Sequence, residues 1–307
     1  MGAIVETVTG GSRLDVVYGK LEGTDQQFNR DPTGYLALSV GIFLKKGLNV
    51  SYRYVQGIER RLHELERGTA NISLLVGRAA LKHFLDKGKT RLLGCSMNTC
   101  PYRLVVQTEI QAIGDLHGKS LACRESTADL SRLAEVLQQT AKLQLSVDVR
   151  LKQTPTDREA MELLSRREVQ AALLPRPYAI FAREKGLKAI EDWPEVIDDP
   201  MPSVLETTEA QYRGRQKDFN AFMEAYCEGI VYLKNNRDET IRMLGVTFGQ
   251  SPAVAGKAYD EYLIYLNDPL TVDMRQLERL LAKVAPENRN GSSEVASRWF
   301  LAGVRRS

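Results

Sequence analysis

Two arginines carry the sharpest chemistry in this 307-residue chain: Arg78, within Val76-Gly77-Arg78, and Arg176, directly after Leu173-Leu174-Pro175. A guanidinium offers parallel N–H donors that grip a carboxylate or sulfonate with two hydrogen bonds. Arg78 opens a predicted helix, where a cation opposes the helix dipole, so a task other than helix stability is expected of it. Arg176 follows a predicted strand further along, and the two side chains are expected to close on one anion from opposite sides. Three other segments have residue types suited to polar recognition. Gly23-Thr24-Asp25-Gln26 follows the first strand, and Gln56-Gly57 precedes the second helix, where glycine lets a backbone approach closely. Arg124-Glu125-Ser126-Thr127 lies between a strand and a helix; Ser126 or Thr127 would cap that helix and leave the neighbouring amides for an anion. Each segment also has a plainer reading: a solvent loop, a surface ion pair, a helix cap.

Catalytic and metal chemistry has less to work with. The cysteines are Cys95, Cys100, Cys123 and Cys227, with no C-x-x-C spacing, and His63, His83 and His117 are not spaced as zinc partners. No metal or cofactor is expected, and reduced, structural thiols are the expectation for all four cysteines. Cys95 and Cys100 end a predicted strand and could border a cleft; a reactive thiolate there would need a cation, and Arg103 is the one nearby in sequence. His63 and His83 fall inside predicted helices and read as surface or packed residues.

These residues must be positioned by a strand–turn–helix cadence that runs twice through the first two hundred residues. Leu14–Tyr18 reads as a strand, Thr33–Lys46 as a helix, Asn49–Val55 as a strand, Ile58–Arg67 as a helix, Ile72–Leu75 as a strand and Arg78–Lys87 as a helix. Glycines 47, 68 and 88 stop the helices, after cations that favour the negative end of the dipole. Arg91–Ser96 reads as a strand, and an extended run from Pro101 to Gln107 crosses into a second lobe. There the pattern is strand Lys119–Cys123, helix Ala128–Thr140, strand Ser146–Leu151, helix Asp157–Arg166 and strand Gln170–Leu174. Glu191–Pro202, dense in Pro and Asp, suits a return linker, with Ser203–Glu206 as a second crossing strand. Helices are expected at Asp218–Asn235, Asp238–Leu244, Ala253–Leu266 and Thr271–Val284, packed back onto the first lobe. Phe219, Phe222, Met223, Tyr226 and Ile230 recur at helical spacing, as a core stripe does. Alternation of this kind builds parallel sheets covered by helices, which bind ligands beyond the carboxyl ends of their strands. The expected architecture is therefore α/β and two-lobed, with lobe 1 formed by 1–101 and 203–307 and lobe 2 by 102–202.

Composition narrows the partners. Forty-two basic residues are nearly matched by thirty-nine acidic ones, for a net charge of +3. The arginines at 60, 61, 67, 166 and 167 are interleaved with Glu59, Glu64, Glu66 and Glu168, which describes a solvated helix face and not a nucleic-acid surface. No run of eighteen apolar residues is present, so no transmembrane segment is expected. Residues 1–13 lack the charged and apolar regions of a signal peptide, so as it stands the chain reads as cytoplasmic; it would be periplasmic if an export signal had been removed.

The order of short motifs resembles a known family. Gly34-Tyr35-Leu36-Ala37 leading into Phe43-Leu44-Lys45-Lys46-Gly47-Leu48-Asn49-Val50 is similar to the first helix and second strand of the nitrate, sulfonate and taurine substrate-binding proteins of ABC transporters. Leu65-Glu66-Arg67-Gly68-Thr69-Ala70-Asn71-Ile72, Ile113-Gly114-Asp115-Leu116-His117-Gly118-Lys119-Ser120-Leu121-Ala122 and Val169-Gln170-Ala171-Ala172-Leu173-Leu174-Pro175 resemble its later segments, so that the likeness runs from about residue 14 to 245 in order. The resemblance implies a type II periplasmic-binding-protein fold whose lobes close over a small anionic organic ligand. An ABC permease is the implied partner if the chain is exported. The fold also hosts enzymes. Thiamine-pyrimidine synthases carry a cysteine-rich motif that this sequence lacks. Aromatic sulfinate desulfinases place a nucleophilic cysteine after the first strand, where this chain has Tyr18-Gly19-Lys20-Leu21-Glu22-Gly23, and an arginine near the third strand, which Arg78 resembles. A desulfinase-like enzyme or a cytoplasmic ligand sensor is the alternative.

Overall fold

The computed structural model describes residues 11–18, 31–124, 130–190, 198–248, 251–261, 263–288, 291–301 and 303. Its first lobe opens with β1 (Ser12–Tyr18), α1 (Thr33–Ser39), α2 (Ile42–Lys45), β2 (Leu48–Tyr54), α3 (Ile58–Arg67), β3 (Ile72–Leu75) and α4 (Gly77–Lys87). The long β4 (Thr90–Val106) leads into β5 (Ser120–Arg124), α5 (Leu130–Ala141), β6 (Arg150–Thr154), α6 (Asp157–Ser165), β7 (Ala171–Pro175), α7 (Arg176–Glu184) and the short β8 (Lys188–Ala189). β9 (Asp198–Thr208) returns the chain to a helical region of α8 (Glu209–Gly214), α9 (Gln216–Asn235), α10 (Arg237–Phe248), α11 (Pro252–Glu261), α12 (Met274–Val284) and α13 (Ser292–Trp299).

Strand order is β2-β1-β3-β9-β4 in the first lobe and β4-β7-β5-β6 in the second, with β8 also on β4. β1 runs parallel to β2 and β3, and β5 parallel to β6 and β7, as strands joined through helices must. β9 is antiparallel to both its neighbours. β4 pairs with β9 from Thr90 opposite Thr208 to Pro101 opposite Asp198, then with β7 from Tyr102 opposite Pro175 to Val106 opposite Ala171. One continuous strand therefore belongs to both sheets, and β9 runs beside it through the crossing. Register shifts after Leu92, Cys95 and Met97 mark bulges in the pair, and Met201 takes a positive φ of 50° beside them. This is the two-lobed α/β fold expected of a type II periplasmic-binding protein.

Several boundaries differ from the sequence reading, each for a local reason. The helix expected over Thr33–Lys46 is broken at Gly41, whose φ is 72°. The separate strand and extended run around residue 100 are one strand, because β9 supplies hydrogen-bond partners along most of it. The strand expected at Ser146–Leu151 begins at Arg150 instead: Asp148 accepts from the backbone N–H of Gln144 at 2.8 Å and Ser146 has a φ of 70°, so a turn occupies that stretch. In the expected linker, 191–197 lies outside the described residues and Asp198–Pro202 already belongs to β9. The helix expected over Ala253–Leu266 ends at Glu261, and α7 and α13 were not anticipated. The C-terminal helices do not all return to the first lobe: α9 packs on α1 and α2, and α12 on α4 and β9, but α11 packs on α7, where Arg183 pairs with Glu261.

The core follows the strand alternation. Leu14, Val16, Leu48 and Val50 face α1 and α9, with the Phe43 and Phe222 rings stacked at 5.1 Å. On another side of the first sheet, Leu92 and Val204 pack with Phe84, Leu277, Leu281 and Trp299.

Candidate functional site

The carboxyl ends of β1, β2 and β3 lie along one edge, together with the first turns of α1, α3 and α4. Following β2 along its inward face, the residues read Leu48, Val50, Tyr52, Tyr54; along β1 they read Leu14, Val16, Tyr18. Aliphatic side chains fill the core, and tyrosines replace them where the same face emerges. Pairing places Val16 beside Tyr52 and Tyr18 beside Tyr54. The Tyr18 and Tyr52 rings stack at 5.1 Å, Tyr35 of α1 stands edge-on to both at 6.3 and 6.2 Å, and Tyr54 is tilted against Tyr18 at 6.1 Å.

Behind this cluster is a buried polar knot. Asp31 is fully buried; its Oδ1 accepts from the Thr33 backbone N–H at 2.9 Å and its Oδ2 from the Tyr226 hydroxyl at 2.7 Å. The Tyr52 hydroxyl is buried beside Tyr226, and the Tyr52 ring lies directly on Gly34, where an added Cβ would sit 2.6 Å from the phenol oxygen. Burial, reinforced by the Asp31 carboxylate, pushes both the Tyr52 and Tyr226 phenols well above their usual range. Tyr18 is pushed up to about 12 by burial and then by Tyr35 and Tyr54. These phenols stay neutral throughout the physiological range and act as hydrogen-bonding, aromatic groups.

The expected site residues distribute as follows. Gly23, Thr24, Asp25, Gln26, Ser126 and Thr127 lie outside the described residues. Gln56 and Gly57 are exposed at the start of α3, where Gly57 has a φ of 84° and the Arg61 Nη1 fastens the preceding turn by donating to the Val55 carbonyl at 3.0 Å. Gly77 is buried at the first residue of α4 and Arg78 follows it, half-buried. Arg176 is the first residue of α7, its backbone continuing from β7. Leu75 pairs with Val204 on β9, and Pro175 pairs with Tyr102 on β4, so α4 and α7 both start beside the crossing strands, one from each lobe.

Arg124 is committed within the second lobe. Its Nη1 lies 3.1 Å from Asp157 Oδ2 and its Nη2 donates to the Tyr102 hydroxyl at 3.2 Å, with Asp157 and Tyr102 almost fully buried. Removing one member of a buried ion pair leaves an uncompensated charge, so Arg124→Ala is expected to destabilise the protein by about 3 kcal/mol, read by urea denaturation. A variant with unchanged stability would mean that the pair is solvated.

The four cysteines form no disulfide. Cys95 and Cys100, expected as candidates at the cleft border, are buried, and the Cys95 thiol donates to the Met97 carbonyl at 3.1 Å. Burial pushes Cys95 far up, and Cys123 up to about 11 with the Asp157 carboxylate as a secondary cause. Neither is a thiolate near neutral pH. Among the described residues no group of His, Cys, Asp and Glu is arranged to hold a metal ion, and no helix is long and apolar enough to cross a membrane. A cavity of about 700 Å³ between α9 and the Asp268–Leu270 segment reaches Lys46, just ahead of β2; it therefore opens near the amino end of that strand, away from the tyrosines.

No protein-family model matches the sequence, and no curated protein matches it. Solved structures do. The periplasmic aliphatic sulphonate binding protein SsuA from Escherichia coli superimposes with a TM-score of 0.65 at 14% identity, covering 94% of this chain and 97% of that one. The desulfurization enzyme DszB gives 0.62 at 16% identity, covering 92% and 99%. A Candida albicans protein described as having the generic periplasmic binding protein structural fold gives 0.58 at 12% identity, covering 96% and 98%. At these identities the likeness establishes the fold.

Proposed function

We propose that this protein binds a small anionic organic ligand, sulfonate-like or carboxylate-like, by closing its two lobes over it. The observation that carries this reading is the convergence of the β3–α4 and β7–α7 turns on the crossing strands β4 and β9. Each turn ends a strand at its carboxyl edge and begins a helix, the place where ligands meet α/β sheets and where free N–H groups favour negative charge. Arg78 and Arg176 begin those helices and are assigned the role of gripping the anion; Gln56 and Gly57 line the same edge. The lobes are taken as 1–101 with 203–307 and 102–202, hinged at the crossing strands. The sulphonate-binding SsuA structure, built on the same fold, supports this class of ligand, and an ABC-type import permease is the partner assigned to this chain.

The fold shared with a desulfurization enzyme raises turnover as a second reading. Cys95, Cys100 and Cys123 are buried, and burial keeps the Cys95 and Cys123 thiols protonated, which speaks against these three as nucleophiles. Arg78→Ala is expected to weaken binding of the preferred anion about tenfold or more, as loss of a charge-assisted pair does, with little change in folding. Unchanged affinity in calorimetry would remove Arg78 from the site.

A further inference from the structure

We infer that the ligand carries an aromatic ring, and that the tyrosine cluster at the ends of β1 and β2 is the surface on which that ring stacks. This rests on the reading of the strand-end cleft as an anion site and specifies the rest of the molecule bound there. Four tyrosines, 18, 35, 52 and 54, converge where the first two parallel strands emerge from the core. Their placement follows the strand period: Tyr18, Tyr52 and Tyr54 continue the face that Leu14, Val16, Leu48 and Val50 bury. Tyr35 and Tyr52 pack against that core yet are only half-buried, and Tyr54 remains 42% exposed.

The chemistry suits an aryl group. Asp31, the acid behind the cluster, is fully buried, with its oxygens accepting from Thr33 and Tyr226. Burial keeps the Tyr18 and Tyr52 phenols neutral, and the cluster presents faces and edges of aromatic rings with hydroxyl groups among them. Such surfaces hold a planar ring by offset or edge-on stacking, which favours it over an alkyl chain of the same size. β1 is the direct neighbour of β3, so Tyr18 and the start of α4 share the carboxyl edge of the sheet, one strand apart.

The test is calorimetric titration of the intact protein with benzenesulfonate and benzoate, hexanesulfonate and hexanoate, and uncharged benzyl alcohol. The aryl anions are expected to bind about tenfold more tightly than their alkyl counterparts. Tyr54→Ala is expected to weaken aryl binding more than alkyl binding and so shrink that preference, and Tyr54→Phe, which keeps the ring, to retain it. Equal affinity for aryl and alkyl anions would overturn this inference and leave the anion reading standing. Binding of benzyl alcohol as tight as that of the aryl anions would overturn the anion reading and keep the aromatic one. Absence of binding across the whole set would overturn both.

Discussion

Glu206→Gln is expected to stabilise the protein at pH 8 by about 3 kcal/mol and to leave its stability at pH 4 nearly unchanged. Glu206 sits on β9 between Ser73 of β3 and Leu92 of β4, fully buried beneath Trp299. Its Oε1 accepts from the Trp299 indole N–H at 2.6 Å. Its Oε2 has no hydrogen-bond partner; the Thr90 hydroxyl faces it without a well-formed bond, and the hydroxyls of Thr90 and Ser73 are themselves buried without partners. Arg91 is the nearest cation but is already held by Glu209 at 2.7 Å. Burial outweighs these favourable neighbours and pushes the Glu206 carboxyl up to about 7.

The sign follows from proton counting. The unfolded chain releases this proton near the ordinary glutamate value, about 4.5, whereas the folded protein keeps it until about pH 7. Between those values the folded state binds more protons, so raising the pH draws the equilibrium toward the unfolded chain. The loss is absent below the lower value and complete above the upper one. Glutamine keeps an acceptor for Trp299, supplies an N–H for the Thr90 or Ser73 hydroxyl and has no charge to desolvate. Chemical denaturation of both proteins at pH 4 and pH 8 checks this. The same difference at both pH values would show that the buried carboxyl does not hold its proton.

The second large effect is expected at Gly77. A Cβ there would lie 2.7 Å from both the Cβ and the carbonyl oxygen of Met201, and 3.3 Å from Leu280 Cδ2. Met201 is part of the crossing strand and already holds a left-handed backbone, which a residue with a side chain adopts at a cost. Its backbone oxygen cannot swing aside as a side chain would. Gly77→Val is expected to destabilise by on the order of 3 kcal/mol through overpacking, and to weaken ligand binding because the displaced strand joins the two lobes. Thermal unfolding and calorimetry on one preparation read both effects. A stable Gly77→Val variant with full affinity would show that the α4 start and the crossing strand are loosely coupled.

The fold was legible because its signals are local and repeated. α3 and β3 begin and end where the alternation and the terminal glycines place them, and β1, β2 and β7 lie within two residues of expectation. Long-range pairing was less visible. Nothing in Arg91–Gln107 alone reveals that β9 will support a single 17-residue strand, and α11 reaches α7 through contacts far apart in sequence.

The site was legible in part. The position of Arg78 at a helix start follows from strand–helix punctuation; Arg176 was read only as following a strand, and the helix that it opens was not anticipated. The Asp157 partner of Arg124 does not follow from such punctuation, because the ion pair joins turns after β5 and β6 that meet only in the folded sheet. The tyrosines were written in the alternation of Leu48, Val50, Tyr52 and Tyr54, a change of residue type along one strand face. Reading them as one cluster required the register of β1 against β2.

The central claim, that this fold binds a small anionic organic molecule without consuming it, is tested most directly by ligand-observed NMR on the purified protein. The panel would contain alkyl and aryl sulfonates, sulfinates and carboxylates, with nitrate followed by competition. The account predicts that one class of organic anion broadens in the presence of protein and is recovered chemically intact after long incubation. Conversion of any member into product, or broadening confined to uncharged compounds, would contradict it.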